Sequence, residues 1–297
     1  MMSRREFLKA GTIAAGVVTL GQAVTAGPAA AKEKFSGPAP EYEIYALKYA
    51  GPFRSKLAFV LWKHGWNEEI DRYYYIWAIK GKNETIIVDA GQGPTYAGNK
   101  KSPNYVNPVE MVSRLGIAPD SVKKIIITHI HQDHAGGMEV FPKAFPNATF
   151  YLQKQEFDFW IKSPIAKKRA FDESSDPLAN KILADMEGTR RLKLISGDQK
   201  IMPGIELLLT PGHTPALQSV AVNTQKGTAV VASDCAHIAR SFKEEIPSAL
   251  ICDLPGWMRS FDKLKAKASS IDLLFPGHDA ALLRDYPKVA EDITRLV

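Results

Sequence analysis

Lys124-Ile125-Ile126-Ile127-Thr128 runs directly into His129-Ile130-His131-Gln132-Asp133-His134. The first five residues have the β-branched character of a buried strand. The next six hold three of the chain's seven histidines together with an aspartate. Neutral imidazoles and a carboxylate are what ions of the Zn²⁺ class accept as ligands. A loop leaving a strand end can turn His129 and His131 towards one point while Asp133 and His134 face a second. Gly136-Gly137 follow and are read as permitting a tight backbone turn before the next element.

Three more residues of ligand type stand at strand or turn ends. They are His213 in Thr210-Pro211-Gly212-His213-Thr214-Pro215, Asp234 in Ala232-Ser233-Asp234, and His278 in Phe275-Pro276-Gly277-His278-Asp279. Loops at such ends present functional side chains. Taken singly, each reads equally as a capping or hydrogen-bonded residue. With the cluster they make five histidines and two aspartates, enough for two metal ions with shared oxygen ligands. His64, between Lys63 and Gly65, is far from these motifs and reads as no ligand.

From Tyr42 onward there is no Gly/Ser linker, charge block or short repeat, so residues 32–297 read as one domain. Tyr73-Tyr74-Tyr75-Ile76-Trp77-Ala78-Ile79 and Thr85-Ile86-Ile87-Val88 flank Lys80-Gly81-Lys82-Asn83-Glu84 as a β-hairpin. Asn107-Pro108 opens a helix by cap and first-turn proline, with Val109, Val112 and Leu115 at helical spacing and Gly116 closing it. Strands are expected at Ile205 to Leu209, Ser219 to Val222, Ala229 to Ala232 and Ile271 to Phe275, and a helix from Trp257 to Ala268. Lys154 to Ile195 is mostly helix-compatible and reads as an insertion able to cover a site, its Lys167-Lys168-Arg169 a solvated face. Trp62, Trp66, Phe157, Phe159 and Trp160 read as core, with an apolar acyl pocket as the alternative. Strands and helices mixed in both halves make the class α/β or α+β.

The pattern HxHxDH followed by a separate His, Asp and His resembles the metallo-β-lactamase superfamily, and the likeness runs from Val88-Asp89-Ala90-Gly91 to Pro276-Gly277-His278. It implies a four-layer αββα sandwich with the site at one edge of two sheets. It also implies one metal on His129, His131 and His213, a second on Asp133, His134 and His278, and Asp234 bridging them. Asp89 resembles the acid that orients such ligands, and reads equally as a plain turn former. The implied chemistry is hydrolysis by a hydroxide bridging two divalent ions, with Zn expected and Mn, Fe or Co allowed, while Asp133 passes a proton to the leaving group.

Thr210-Pro211-Gly212-His213-Thr214-Pro215-Ala216-Leu217-Gln218-Ser219 resembles the TPGHxPGHQS segment of N-acyl homoserine lactonases, and Phe242-Lys243-Glu244-Glu245-Ile246-Pro247 their acidic stretch after the bridging aspartate. The resemblance implies opening of a lactone ring, the substrate being a small lactone or ester. Two positions depart: Leu217 replaces a second histidine, and His237 replaces a tyrosine that hydrogen-bonds the carbonyl oxygen in lactonases. A histidine still donates to developing negative charge. Methyl-parathion-type phosphotriesterases share the fold without that tyrosine signature, so phosphotriester or aryl-ester hydrolysis is the alternative. Glyoxalase II-like enzymes continue into a helical glutathione-binding domain, whereas nineteen residues follow His278. Asp234 at the bridging position, with His278, argues against the common β-lactamase subclasses. A non-catalytic metal binder is the reading from another class, and the presence of all seven ligands weighs against it.

The chain has 297 residues, 45% hydrophobic and 24% charged, an ordinary globular composition. Its net charge is +6, to which Arg4, Arg5 and Lys9 against Glu6 contribute before residue 32; the thin remainder predicts no nucleic-acid partner. Ser3-Arg4-Arg5-Glu6-Phe7-Leu8-Lys9 leads into apolar Ala10 to Val24 and then small residues, which resembles a twin-arginine export signal over residues 1–31. The apolar part, about 15 residues, falls short of the roughly 20 that a permanent membrane span needs. A mature domain exported folded through the translocon to the periplasm or medium is expected, with a homodimer possible. Cys235 and Cys252 would there meet a compartment that permits a disulfide.

Overall fold

The computed structural model describes residues 39–297, so the expected export signal lies outside the described residues. Among those described, no helix is long and apolar enough to cross a membrane. The described residues form thirteen strands: β1 (Glu43–Lys56), β2 (Glu69–Lys80), β3 (Thr85–Val88), β4 (Val122–Ile126), β5 (Thr149–Gln153), β6 (Leu192–Ile195), β7 (Gln199–Met202), β8 (Ile205–Leu209), β9 (Gln218–Thr224), β10 (Gly227–Ser233), β11 (Leu274–Pro276), β12 (Lys288–Ala290) and β13 (Ile293–Arg295). They form a larger sheet of order β12-β13-β1-β2-β3-β4-β5-β6 and a smaller one of order β11-β10-β9-β8-β7.

Alternation along the strands decides the layering. On β2, Tyr75, Trp77 and Ile79 pack inward against Val220 and Val222 of β9 and Val231 of β10. The intervening Ile76 and Ala78 share the opposite face with Met111 and Val112 of the helix Pro108–Arg114 and Leu183 of the helix Pro177–Asp185. On the smaller sheet, Leu208, Ala221 and Val230 face away from the centre, under Trp257, Phe261 and Leu264 of the helix Leu254–Lys267. The order is helices, sheet, sheet, helices, the αββα sandwich expected.

Strand direction places the site. β3, β4 and β5 are mutually parallel. β9 runs antiparallel to both β8 and β10, and β11 runs parallel to β10. The C-terminal ends of β8, β10 and β11 therefore gather on one side, as do those of β3 and β4. Gln218 ties the two sheets there: its backbone N–H donates to Thr128 O at 2.9 Å, and its Nε2 to Ile127 O at 2.8 Å.

The hairpin, the Asn107 cap (Oδ1 accepting from Val109 N at 3.0 Å) and the strands β8 to β10 are as read from the sequence. Four expectations change. Ile271–Leu273 is a turn of 3-10 helix begun by Ser270, whose hydroxyl accepts from Asp272 N, and only Leu274–Pro276 is strand. The last residues of the 154–195 insertion are β6, paired parallel with β5, and so belong to the scaffold. The helix expected from Trp257 starts at Leu254, because Asp253 caps it by accepting from Gly256 N at 2.9 Å. Gly136 and Gly137 serve close approach rather than a turn: a Cβ on Gly137 would lie 2.0 Å from Ala90 O.

The layering makes a stability prediction. Leu207→Ala, in the layer between the sheets, should cost about 2–5 kcal/mol in denaturant unfolding, whereas Lys200→Ala on the exposed edge strand should stay within about 0.5 kcal/mol. Equal costs would contradict the assignment of that layer.

Candidate metal centre

Each functional side chain leaves the C-terminal end of a strand. After β4 the chain stays extended to His131, and the short helix Gln132–Ala135 then presents Asp133 and His134. His213 lies in the connection from β8 to β9, Asp234 follows β10, and His278 follows β11. Asp89 ends β3 at φ 65°, in the left-handed region that a short polar side chain tolerates. Gly277 is required beside His278, since a Cβ there would lie 2.2 Å from Asp234 Oδ1.

These loops bring all seven sequence-predicted ligands together. The ligand atoms of His129, His131 and His213 lie within 4.8 Å of one another, and so do those of Asp133, His134 and His278. Asp234 stands between the two sets. Its Oδ1 is 3.2 Å from His134 Nε2 and 3.1 Å from His278 Nε2, and its Oδ2 is 3.3 Å from His213 Nε2. His131 Nδ1 and His213 Nε2 approach to 2.9 Å.

Acceptors on the far side of the rings fix which nitrogen faces inward. A carbonyl can only accept, so His213 donates from Nδ1 to Leu250 O at 3.1 Å and His278 donates from Nδ1 to Tyr73 O at 2.9 Å. His134 Nδ1 meets Asp89 Oδ2 at 2.8 Å. Asp89 also accepts from Thr128 N at 2.7 Å and Thr128 Oγ1 at 2.9 Å, so its carboxylate holds the His134 ring and the start of the histidine loop together. Buried polar atoms ordinarily find partners. Here His129 Nε2, His134 Nε2 and Asp234 Oδ1 are buried without a hydrogen bond. Lone pairs that no donor satisfies, on nitrogen and oxygen ligands in two adjoining sets, fit a pair of divalent cations.

Charge follows the same arrangement. Burial and neighbouring imidazoles push His129 and His131 well below the ordinary histidine pKa, leaving them neutral. Burial would raise the Asp234 carboxyl, but His278, His134 and His237 outweigh it and hold it well below the usual carboxylate range.

A cavity of about 190 Å³ opens on the Asp133, Asp234, His237 and His278 side of the centre. His237 is buried, with Nε2 3.5 Å from Asp234 Oδ2 and its ring 5.0 Å from that of His278. The insertion reaches this cavity through residues 172–174, and Ser174 O accepts from Gln132 N at 2.9 Å. The aromatic residues of the cavity wall are Phe59 and Tyr74, which the sequence reading missed. Phe157 and Trp160 are core, and Trp66 is 66% exposed. Also missed were Arg72, on the cavity wall with its guanidinium over the Phe59 ring, and Glu156, buried behind the histidine loops. Tyr49, whose hydroxyl donates to Asp133 O at 2.6 Å, was a third. His64 is exposed and bonded to Trp62 O, away from the site, as expected. Cys235 is buried, Cys252 is exposed, and both are free thiols.

Asp89→Asn preserves shape but presents an amide N–H₂ where two donors and the His134 ring need acceptors. It should weaken metal binding about 10–100-fold, measured by competition with a chelator. Unchanged affinity would return Asp89 to the role of turn former.

An N-acyl homoserine lactonase from a Bacillus species is 32% identical over 173 residues, which is 58% of this chain and 61% of that protein. The chain thus matches under two thirds of that relative's length. A solved structure described as a quorum-quenching N-acyl homoserine lactone lactonase superposes with a TM-score of 0.66 at 24% identity, covering 86% of this chain and 98% of that one. Another, an N-acyl homoserine lactone hydrolase holding the product N-hexanoyl-L-homoserine at its catalytic metal center, gives 0.66 at 22% identity, covering 84% and 98%. The profile of the metallo-beta-lactamase superfamily matches residues 70–278, from β2 to the last histidine of the centre, and the chain belongs to that superfamily.

Proposed function

We propose that this protein is a dinuclear metal-dependent hydrolase that opens the ring of a lactone of the N-acyl homoserine type. One observation carries the reading: the Asp234 carboxylate lies within 3.3 Å of imidazoles from both ligand sets, at the floor of a cavity. His129, His131 and His213 would hold one ion, Asp133, His134 and His278 the other, and Asp234 both, with Zn²⁺ as the expected metal. Ions bound there supply an activated water and polarise an ester carbonyl. What the relatives are described as hydrolysing supports the choice of a lactone.

The chain's own residues would do the rest. Asp133 lines the cavity and can carry a proton to the departing alkoxide of a substrate bound there. His237, kept neutral by burial, can donate to the oxygen on which negative charge develops. Phe59 and Leu250 offer apolar surface to the rest of the substrate. Phosphotriester or aryl-ester hydrolysis on the same centre is favoured by one feature, the histidine at 237 where lactonases carry tyrosine.

The test is the ratio of kcat/KM for an N-acyl homoserine lactone to that for an aryl phosphotriester. A lactone value of about 10⁴ M⁻¹s⁻¹ or more with little phosphotriesterase is expected, and the reverse ratio would move the protein to the second reading. Within the first reading, His237→Phe should lower lactone kcat about 100-fold and His237→Tyr should restore it. A His237→Phe variant as fast as wild type would remove His237 from the chemistry.

The paired Arg4 and Arg5 support export of the folded domain 32–297 to the periplasm or medium. Replacing both with lysine should leave the protein in the cytoplasmic fraction, and unchanged fractionation would contradict that route.

A further inference from the structure

Glu156 lies on the short helix Lys154–Phe157, is fully buried, and belongs to neither ligand set. Its Oε1 accepts from Ile130 N at 3.1 Å and from Trp160 Nε1 at 2.7 Å. Its Oε2 accepts from Thr214 Oγ1 at 2.8 Å and from Ala216 N at 2.9 Å. Ile130 is the residue between His129 and His131, and Thr214 adjoins His213. Trp160, held by the same carboxylate, packs edge-on against the His131 ring at 5.3 Å.

One carboxylate therefore joins two loops that leave different sheets and together present all three histidines of one set. The other set is held by different groups: Asp89 on His134 and the Tyr73 carbonyl on His278. A buried carboxylate is costly unless its lone pairs are satisfied, and all four donors that satisfy this one come from the three-histidine loops or the tryptophan against them. We infer that Glu156 is a positioning residue for the three-histidine site, setting the spacing of His129, His131 and His213 and so that site's metal affinity independently of its neighbour's. The inference rests on the two-ion reading above.

Glutamine at 156 keeps the volume but must turn its amide N–H₂ towards one pair of donors. Facing Ile130 and Trp160 it meets two N–H groups. Facing Thr214 and Ala216 it meets one, since the hydroxyl can rotate to accept. The second orientation releases the His213 loop.

The experiment titrates Zn²⁺ into chelator-stripped full-length protein by calorimetry, with Co²⁺ absorption as a spectroscopic readout and thermal unfolding as the check on folding. Wild type should take up two ions. Glu156→Gln should weaken one step about 10–100-fold and leave the other. His278→Ala removes a ligand of the other set and identifies the steps: in the double variant the step that survives His278→Ala should be the weakened one. Thr214→Val, which deletes one donor and keeps the shape, should weaken the same step by less, and it decides the matter if Glu156→Gln does not fold. Wild-type affinities at both steps in the folded variants, or weakening confined to the step that His278→Ala removes, would overturn the inference. A wild type that binds fewer than two ions would overturn the two-ion reading and this inference with it.

Discussion

Asp234 is a carboxylate almost wholly removed from water, 2% exposed, and loops from both sheets converge on it. A buried charge is tolerated only with partners of the opposite character at close range. Four imidazoles lie within 3.5 Å of it, and they come from the loops after β4, β8, β10 and β11. Those loops belong to two sheets. The sandwich must therefore pack with both sheets' C-terminal strand ends at one edge, and the Gln218 contacts to residues 127 and 128 set that alignment. A fold that slipped by one strand register would strand the carboxylate without its histidines.

Two further buried carboxylates flank the centre. Asp89 orients His134 from behind the second set, while Glu156 spans the loops of the first. Burial raises both carboxyls, and the donors around each work in the opposite direction. The side chains that would touch a substrate are thus backed by buried polar contacts, and Phe59, Arg72, Leu250 and the insertion complete the cavity wall.

The residues that gather around Asp234 were legible in the sequence because their chemistry is concentrated there: three histidines within six residues, and His213 and His278 each behind a Pro-Gly turn at a strand end. The hairpin and β8 to β10 were legible by composition. β1 was not, because its first half is buried on both faces and so lacks alternation, and Gly51-Pro52 interrupts it. β12 and β13, three residues each, are too short to leave a pattern. Glu156 reads in the sequence as one more helix-forming acid. Its meaning depends on Ala216, sixty positions away, and no local pattern records such a contact. Gly137 shows the same limit: its small size is plain, but the neighbour that requires it, Ala90 O, is known only from the fold.

On the proposed reading, hydrolysis depends on two ions gathered by Asp234. The most direct measurement strips the protein with a chelator and follows lactone ring opening by acid release as Zn²⁺ is returned in fractions of an equivalent. The stripped protein should be folded but inactive, and its turnover should reach a plateau at two equivalents per chain. Full turnover by protein in which no metal is detectable, or two tightly bound equivalents with no turnover of lactone, ester or phosphotriester, would contradict it.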